Sequence, residues 1–331
     1  MAASSEFLYA VCQVGAEAAL KEEVARQFPT LRFAYSRPGL VTWKSPTRLD
    51  PDVRLDSVFA RAYGISFGAV PVPEVPGACL HVFERDDEGA RAATVEAELR
   101  ARGGFREGTR ARPGELVIDV IVPPADDEPL WVGAHVHDRD RSPWPGGLWP
   151  VEVPAAAPSR AYRKIEEALA WSRAPLRAGD VAVEIGSAPG GASYALLRRG
   201  LEVVGVDPGA MAPVVLGFEG PSGNRFRHLP VTLGDLRREA LPGRVHWLIL
   251  DVNLAPQVAL HGIRRLVAAL RRDLAGVIFT LKLNDWAMAR EVPALQGRVA
   301  AMGLTDVRAI QLPSNRQEIC VTAAGRARIR Q

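Results

Sequence analysis

The sequence predicts an α/β protein with a seven-stranded, mostly parallel sheet, preceded by a smaller α+β region. Three observations predict it. Residues 181–207, VAVEIGSAPGGASYALLRRGLEVVGVD, read as a short apolar strand, a glycine turn, a helical stretch and a second apolar strand closing on an acid. That is half of a nucleotide-binding, Rossmann-like fold. Strand patterns then recur at 226–231, 247–252, 277–283, 307–312 and 318–323, most of them separated by helical stretches as in a parallel sheet. The last two are joined by the short turn Pro313-Ser314-Asn315, which permits an antiparallel hairpin. Ahead of residue 160 the pieces are shorter, too small for another such half.

From the start of the chain, FLYAVCQ alternates as a strand and leads past Gly15 into a helical pattern that reaches Phe28. Residues 31–43 supply further strand patterns, broken at Arg37-Pro38-Gly39, and 55–63 read as a short helix ending at Gly64. Together, residues 1–70 suggest a compact ferredoxin-like module. A proline-rich bend at 71–76 opens a second lobe, 71–140, with a strand in LHVFERD, a helix over 90–102 and strands over 115–122 and 130–137. This pattern fits either a small THUMP-like RNA-binding lobe or a generic α+β module. Residues 141–158 hold five prolines with Trp144 and Trp149 and no period, so they read as an extended linker. The helix at 160–171 opens the Rossmann-like domain, 159–331.

Composition narrows the classes. No apolar run approaches the ~18 residues that read as a membrane span, and the N-terminus lacks the basic and apolar regions of an export signal. Cys12, Cys79 and Cys320 are odd in number and far apart, which argues for reduced thiols in the cytoplasm and against a disulfide frame or zinc cluster. The net charge of +3 divides unevenly: residues 1–150 carry 17 basic against 22 acidic groups, and residues 151–331 carry 24 against 16. A polyanion would prefer the back part. Of the 41 basic residues only Lys21, Lys44, Lys164 and Lys282 are lysines. In a chain that writes arginine almost everywhere, a lysine calls for a reason.

The turn after the first strand of the Rossmann-like domain points to a ligand. Gly186, Pro189, Gly190 and Gly191 fall in it, the N–H groups of the following helix face it, and Asp207 ends the next strand, where an acid can accept two ribose hydroxyls. A dinucleotide turn needs glycine at its third place, where this chain has Ala188. Four polar residues also stand where polar residues are unexpected: Lys164 in the leading helix, Asp251 ending LILD, Lys282 in VIFTLKL and Glu318 opening EICVT. Ligands of open α/β sheets gather beyond the carboxyl ends of strands, where Asp251 and Lys282 fall. A lysine between Leu281 and Leu283 loses solvation, which favours its neutral form and makes it a usable base.

The form G-x-x-P-G-G and the set Lys164, Asp251, Lys282, Glu318 resemble the turn and the K-D-K-E tetrad of FtsJ-like RNA 2'-O-ribose methyltransferases. APSRAYRKIEEAL (157–169), FARAYG (59–64) and GVDPGAM (205–211) resemble the bacterial THUMP-containing members that modify cytidine in large-subunit ribosomal RNA. The resemblance implies S-adenosylmethionine as cofactor, held by Ser159, the loop Gly186 to Gly191 with Ala188 and Pro189, Asp207, an acid after the third strand for which Asp235 is the best match, and Asp251. It implies Lys282 as proton acceptor and ribosomal RNA as partner; alignment of hydroxyl and methyl donor needs no metal, and without a long apolar run no membrane partner is expected. The chain departs from the pattern at Ala192, where an aromatic is usual, and its front part is shorter.

Each residue has a plainer reading. Lys164 could pair with Glu167 on the helix surface, Asp251 could cap a helix, and Glu318 could be a turn residue. His135 and His137, with Asp138 after them, read as a solvated strand end and not as a metal site. Rival functions are methyl transfer to another RNA or a small-molecule hydroxyl, RNA binding without catalysis, and nicotinamide-dependent redox chemistry.

Overall fold

A computed structural model describes residues 4–85 and 91–325. The chain divides into two compact units, Met1–Pro150 and Val151–Gln331.

The front unit runs β1 (Ser5–Val11), α1 (Glu17–Gln27), β2 (Arg32–Arg37), β3 (Leu40–Leu49), β4 (Ala62–Gly68), β5 (Cys79–Glu84), α2 (Arg91–Ala101), β6 (Leu116–Val122) and β7 (Trp131–Val136). All seven strands form one sheet in the order β2-β3-β1-β4-β7-β6-β5. Only β5 and β6 pair in parallel, and the antiparallel β4–β7 pairing joins strands from the first 70 residues to those that follow. Side chains of a strand alternate between faces. One face therefore buries Ile65, Leu80, Ile118, Val120 and Ala134 with Leu99 of α2, and the other buries Tyr9, Val11, Leu40, Phe83 and Ile121.

Two expectations are corrected here. Residues 55–63 form no helix, and Ala62 and Tyr63 begin β4. Only Ala62 and Tyr63 are paired, with Val11 and Ala10 of β1, and the backbone before them is held by Glu23, whose carboxylate accepts the N–H of Val58 at 2.9 Å and that of Phe59 at 3.4 Å. A short apolar run is ambiguous from periodicity alone. Residues 141–150 are also more than an extended connection. Ser142 Oγ donates to the carbonyl of Leu148 at 2.8 Å, the N–H of Ala111 to that of Pro143 at 2.8 Å, and Gly146, at φ +63°, lies against the Phe83 ring where a side chain would clash.

The back unit runs α3 (Ala161–Ser172), β8 (Val181–Ile185), α4 (Gly191–Arg198), β9 (Glu202–Val206), α5 (Pro213–Leu216), β10 (Phe226–Leu229), β11 (Trp247–Asp251), α6 (Pro256–Leu270), β12 (Gly276–Lys282), α7 (Val292–Ala300), β13 (Thr305–Ile310) and β14 (Glu318–Ala324). Its sheet is mixed, in the order β10-β9-β8-β11-β12-β14-β13. The first five strands pair in parallel, and β14 and β13 close the edge antiparallel. Because β14 runs against β12, its first residue lies level with the last of β12, and Glu318 falls opposite Lys282. Among the described residues no helix is long and apolar enough to cross a membrane.

Candidate active site

The glycine turn follows β8 and sits against the end of β11. Gly186 has φ +85°, and a side chain there would collide with the backbone carbonyl of Asp251, so glycine is demanded by the chain's own packing. Gly190 is pressed in the same way by Val215 and Met211, and Gly191 by Ser159. The expectation that bare backbone in this turn makes room for a ligand is thus joined by a packing requirement. Ala188 and Pro189 are joined by a cis peptide bond, and the carbonyl of Pro189 accepts the N–H of Ala212 at 2.9 Å. Ser159 reaches the turn from the residues before α3, with Oγ accepting the N–H of Ala161 at 3.3 Å.

Asp207 leaves β9 and is held by two backbone donors, the N–H of Ala188 at 3.2 Å and that of Gly209 at 2.7 Å. An ionised carboxylate offers about four lone-pair sites, so roughly two stay open. Asp235 lies in the loop after β10, exposed, and accepts the hydroxyl of Thr232 at 2.6 Å. Arg265 of α6 donates to three carbonyls of that loop, those of Leu233, Gly234 and Leu236, and fixes its shape.

The four polar residues singled out in the sequence come together. Lys164 Nζ lies 3.3 Å from Asp251 and 2.6 Å from Glu318, and Lys282 hydrogen-bonds Glu318 and lies 3.9 Å from Asp251. Glu318 thus sits between the side-chain nitrogens of Lys164 and Lys282, and Asp251 faces both. Burial raises the carboxyl of Asp251 above the usual range, with Lys164 and Lys282 opposing and Glu318 adding to the shift. For Glu318 burial also pushes upward, but the hydrogen bonds from both lysines outweigh it and hold the carboxyl below its ordinary value. The plainer readings fail. Lys164 does not depend on Glu167, whose carboxylate instead accepts the N–H and hydroxyl of Ser314 at 2.9 and 2.7 Å. Asp251 caps no helix, since α6 begins at Pro256 after Ala255. Glu318 is a buried strand residue. Ala192, the departure noted above, lines a small cavity that also touches Lys164 and Asp251.

With this geometry in place, comparison with known proteins is decisive. Residues 157–263 match the model of the FtsJ-like methyltransferases. The protein called ribosomal RNA large subunit methyltransferase M is 31% identical in Marinobacter nauticus, over 87% of this chain and 90% of that protein. The chain belongs to the FtsJ-like methyltransferase family. Relatives of the same name in Azoarcus sp. and Alkalilimnicola ehrlichii are 32% and 36% identical over 67% and 55% of this chain. The chain spans 59% and 49% of those two relatives. The family assignment covers the glycine turn, Asp207 and Asp251, while Lys282 and Glu318 lie beyond the matched span.

Two buried groups escaped sequence reasoning. Glu184 of β8 is buried and accepts the hydroxyl of Ser193 of α4. Burial drives its carboxyl up to about 8, with Asp251 and Asp207 adding and the Ser193 hydrogen bond opposing. Its signal was an acid inside the apolar run VAVEI. In the front unit, His135 and His137 are buried, contrary to the expectation of a solvated strand end. His135 Nδ1 lies 2.6 Å from the carboxylate of Asp119, and His81 Nδ1 lies 3.6 Å from the same group. Burial would raise Asp119, but the two imidazoles outweigh it and keep the carboxyl well below the usual range. Among the described residues, no group of three or more His, Cys, Asp or Glu is arranged to hold a metal.

Proposed function

We propose that the chain is an S-adenosylmethionine-dependent RNA 2'-O-ribose methyltransferase acting on large-subunit ribosomal RNA in the cytoplasm. The observation that carries this reading is the placement of Glu318 between Lys164 and Lys282, with Asp251 facing both lysines, directly beside the glycine turn. The family and the name of the relatives support the substrate.

The residues present fit the cofactor. Asp207 keeps acceptor capacity for the two hydroxyls of a ribose after its two backbone bonds. Ser159, Gly186, Ala188, Pro189, Gly190, Gly191 and Asp251 surround the turn, and Asp235 stands in the arginine-braced loop after β10, where it would take the adenine side. Nothing in the turn is built for a pyrophosphate, because Ala188 replaces the glycine that close approach needs. When bound, S-adenosylmethionine supplies the electrophilic methyl group that the ribose oxygen takes.

Lys282 accepts the proton of the 2'-hydroxyl at Nζ. It stands at the end of β12, at the carboxyl edge of the sheet, where a substrate can approach. Glu318 and Asp251 orient its amine, and Lys164 shares both carboxylates so that neither is committed to Lys282 alone. Glu167 holds the hairpin loop through Ser314 and so keeps α3 and the start of β14 in step. The remaining rate comes from alignment of hydroxyl and methyl donor. The front unit, read as ferredoxin-like over 1–70 and THUMP-like over 71–140, selects the RNA and supplies none of the four chemical residues.

Mapping of 2'-O-methyl groups in total RNA from cells with and without the protein tests this reading. Loss of one modification in large-subunit ribosomal RNA is expected. An unchanged map, with the purified protein still binding S-adenosylmethionine in a calorimeter, would move the activity to another acceptor.

A further inference from the structure

The hairpin loop between β13 and β14, residues 311–317, is fixed at almost every point. The N–H of Leu312 donates to Oδ1 of Asn315 at 3.0 Å, and that of Asn315 to the carbonyl of Leu312 at 2.9 Å. Gln311 Nε2 donates to the carbonyl of Arg316 at 2.6 Å, and Ser314 is held by Glu167. The carbonyl of Gln317 accepts the N–H of Leu283 at 2.8 Å, which ties the loop to the residue after Lys282. Among the described residues of this loop Arg316 alone is exposed, and no described residue pairs with its guanidinium. It precedes Glu318 by two residues, so their Cα atoms are at most about 7 Å apart. Both lie at the carboxyl edge of the sheet, where β12 ends on Lys282 opposite Glu318.

We infer that the guanidinium of Arg316 seats a phosphate next to the target ribose of the RNA. The inference rests on the RNA 2'-O-methyltransferase reading and deepens it by naming a substrate contact of the same site. The 2'-hydroxyl and the 3'-phosphate are carried by adjacent ribose carbons, so a hydroxyl placed at Lys282 Nζ brings a phosphate to the same edge of the sheet. The four clustered residues do not attract it. Lys282 is neutral when it acts as a base, which leaves the ammonium of Lys164 against the carboxylates of Asp251 and Glu318. A cation outside the cluster offsets that excess of negative charge, and a guanidinium can bind a phosphate through two parallel hydrogen bonds. Arginine suits this place for the reason that makes it unsuitable at position 282: it keeps its charge. A loop whose own polar groups are already committed fixes the root of that side chain, which lowers the entropy lost when the RNA binds.

The test is the initial rate of methyl transfer by the full chain at saturating S-adenosylmethionine, with large-subunit ribosomal RNA from cells lacking the protein, over a range of RNA and salt concentrations. Arg316→Gln should raise the half-saturating RNA concentration at least about tenfold, the scale of a lost hydrogen bond between charged groups. It should also flatten the dependence of log half-saturation on log salt by roughly 0.7 to 0.9, the share of one phosphate contact. The rate at saturating RNA and the affinity for S-adenosylmethionine should match the parent's. Arg316→Lys should restore the salt slope, and the half-saturation only in part, because an ammonium meets a phosphate as a point charge. Arg272→Gln removes another exposed arginine, beyond α6 at the amino end of the sheet, and should match the parent throughout. Unchanged half-saturation and slope in Arg316→Gln, or an equal loss in Arg272→Gln, would overturn the inference and leave the RNA reading standing. A lower rate at saturating RNA with unchanged half-saturation would equally overturn it, by moving Arg316 into the chemical step. A parent that methylates no ribosomal RNA would overturn both.

Discussion

Each unit holds a cluster of charges, and the two differ in what surrounds them. In the front unit the side chains of Asp119, His81 and His135 are 1%, 2% and 6% exposed. In the back unit those of Lys164, Asp251, Lys282 and Glu318 are 15%, 18%, 24% and 11% exposed and stand at the open end of the sheet. The first cluster is sealed under paired strands, where a charge is tolerated because its partner is at hand. The second keeps access to solvent and to a substrate. A sealed ion pair belongs to folding, and a half-open one beside a ligand turn belongs to chemistry. Charge alone does not separate them.

The largest expected effect breaks the comparison on the front side. Asp119→Asn removes a buried charge and leaves two imidazoles facing an amide, so unfolding stability should fall by about 3 to 5 kcal/mol. Urea titration of the full chain checks this, and the folded variant should bind S-adenosylmethionine normally. Equal stability of variant and parent would mean that the sealed cluster does not hold the front sheet together.

Asp207→Ala is the complementary change in the back unit. It should leave stability nearly intact and weaken S-adenosylmethionine binding by about 1.5 to 3 kcal/mol, the scale of hydrogen bonds to a charged group. Calorimetry measures it directly, and unchanged affinity would remove Asp207 from the site.

Glu184 gives a pH-dependent effect, smaller per pH unit than either of these. Its carboxyl stays neutral in the folded protein up to about 8, against 4.5 for an unperturbed glutamate. Between those values the folded state holds a proton that the unfolded chain has lost, so stability is full below about 4.5, declines as pH rises and levels off above about 8. The decline should be roughly 1 kcal/mol per pH unit. Glu184→Gln, which keeps the hydrogen bond to Ser193 and cannot ionise, should flatten it. Denaturation at several pH values with an undiminished slope in the variant would show that another group titrates.

Much of this was legible in the sequence, for local reasons. Strands β8 to β12 lie within a few residues of their expected places, because apolar runs bounded by glycine turns mark buried strands. Lys164, Asp251, Lys282 and Glu318 stood out because each interrupts an apolar or helical pattern, and lysine is scarce in this chain. The structure adds their grouping; their roles are the proposal above. What sequence reasoning missed is non-local. Asp119 and His135 meet only because β6 and β7 pair side by side, and nothing near His135 in the chain announces its partner. Residues 55–63 passed for a helix because the N–H groups of Val58 and Phe59 go to the distant carboxylate of Glu23, a partner invisible in a short run.

The central claim is that Lys282 is the base, and lysine scarcity makes it testable. With 37 arginines available as the chain's ordinary cation, arginine would be expected at this place if charge were all that it required. Arginine stays protonated and cannot accept a proton, whereas lysine can. Single-turnover methyl transfer at saturating S-adenosylmethionine should therefore be slower in Lys282→Arg by a factor on the order of 10² or more, with cofactor affinity nearly unchanged. Lys164→Arg, which keeps the charge its role requires, should be far milder. Equal rates for Lys282→Arg and the parent would contradict the account.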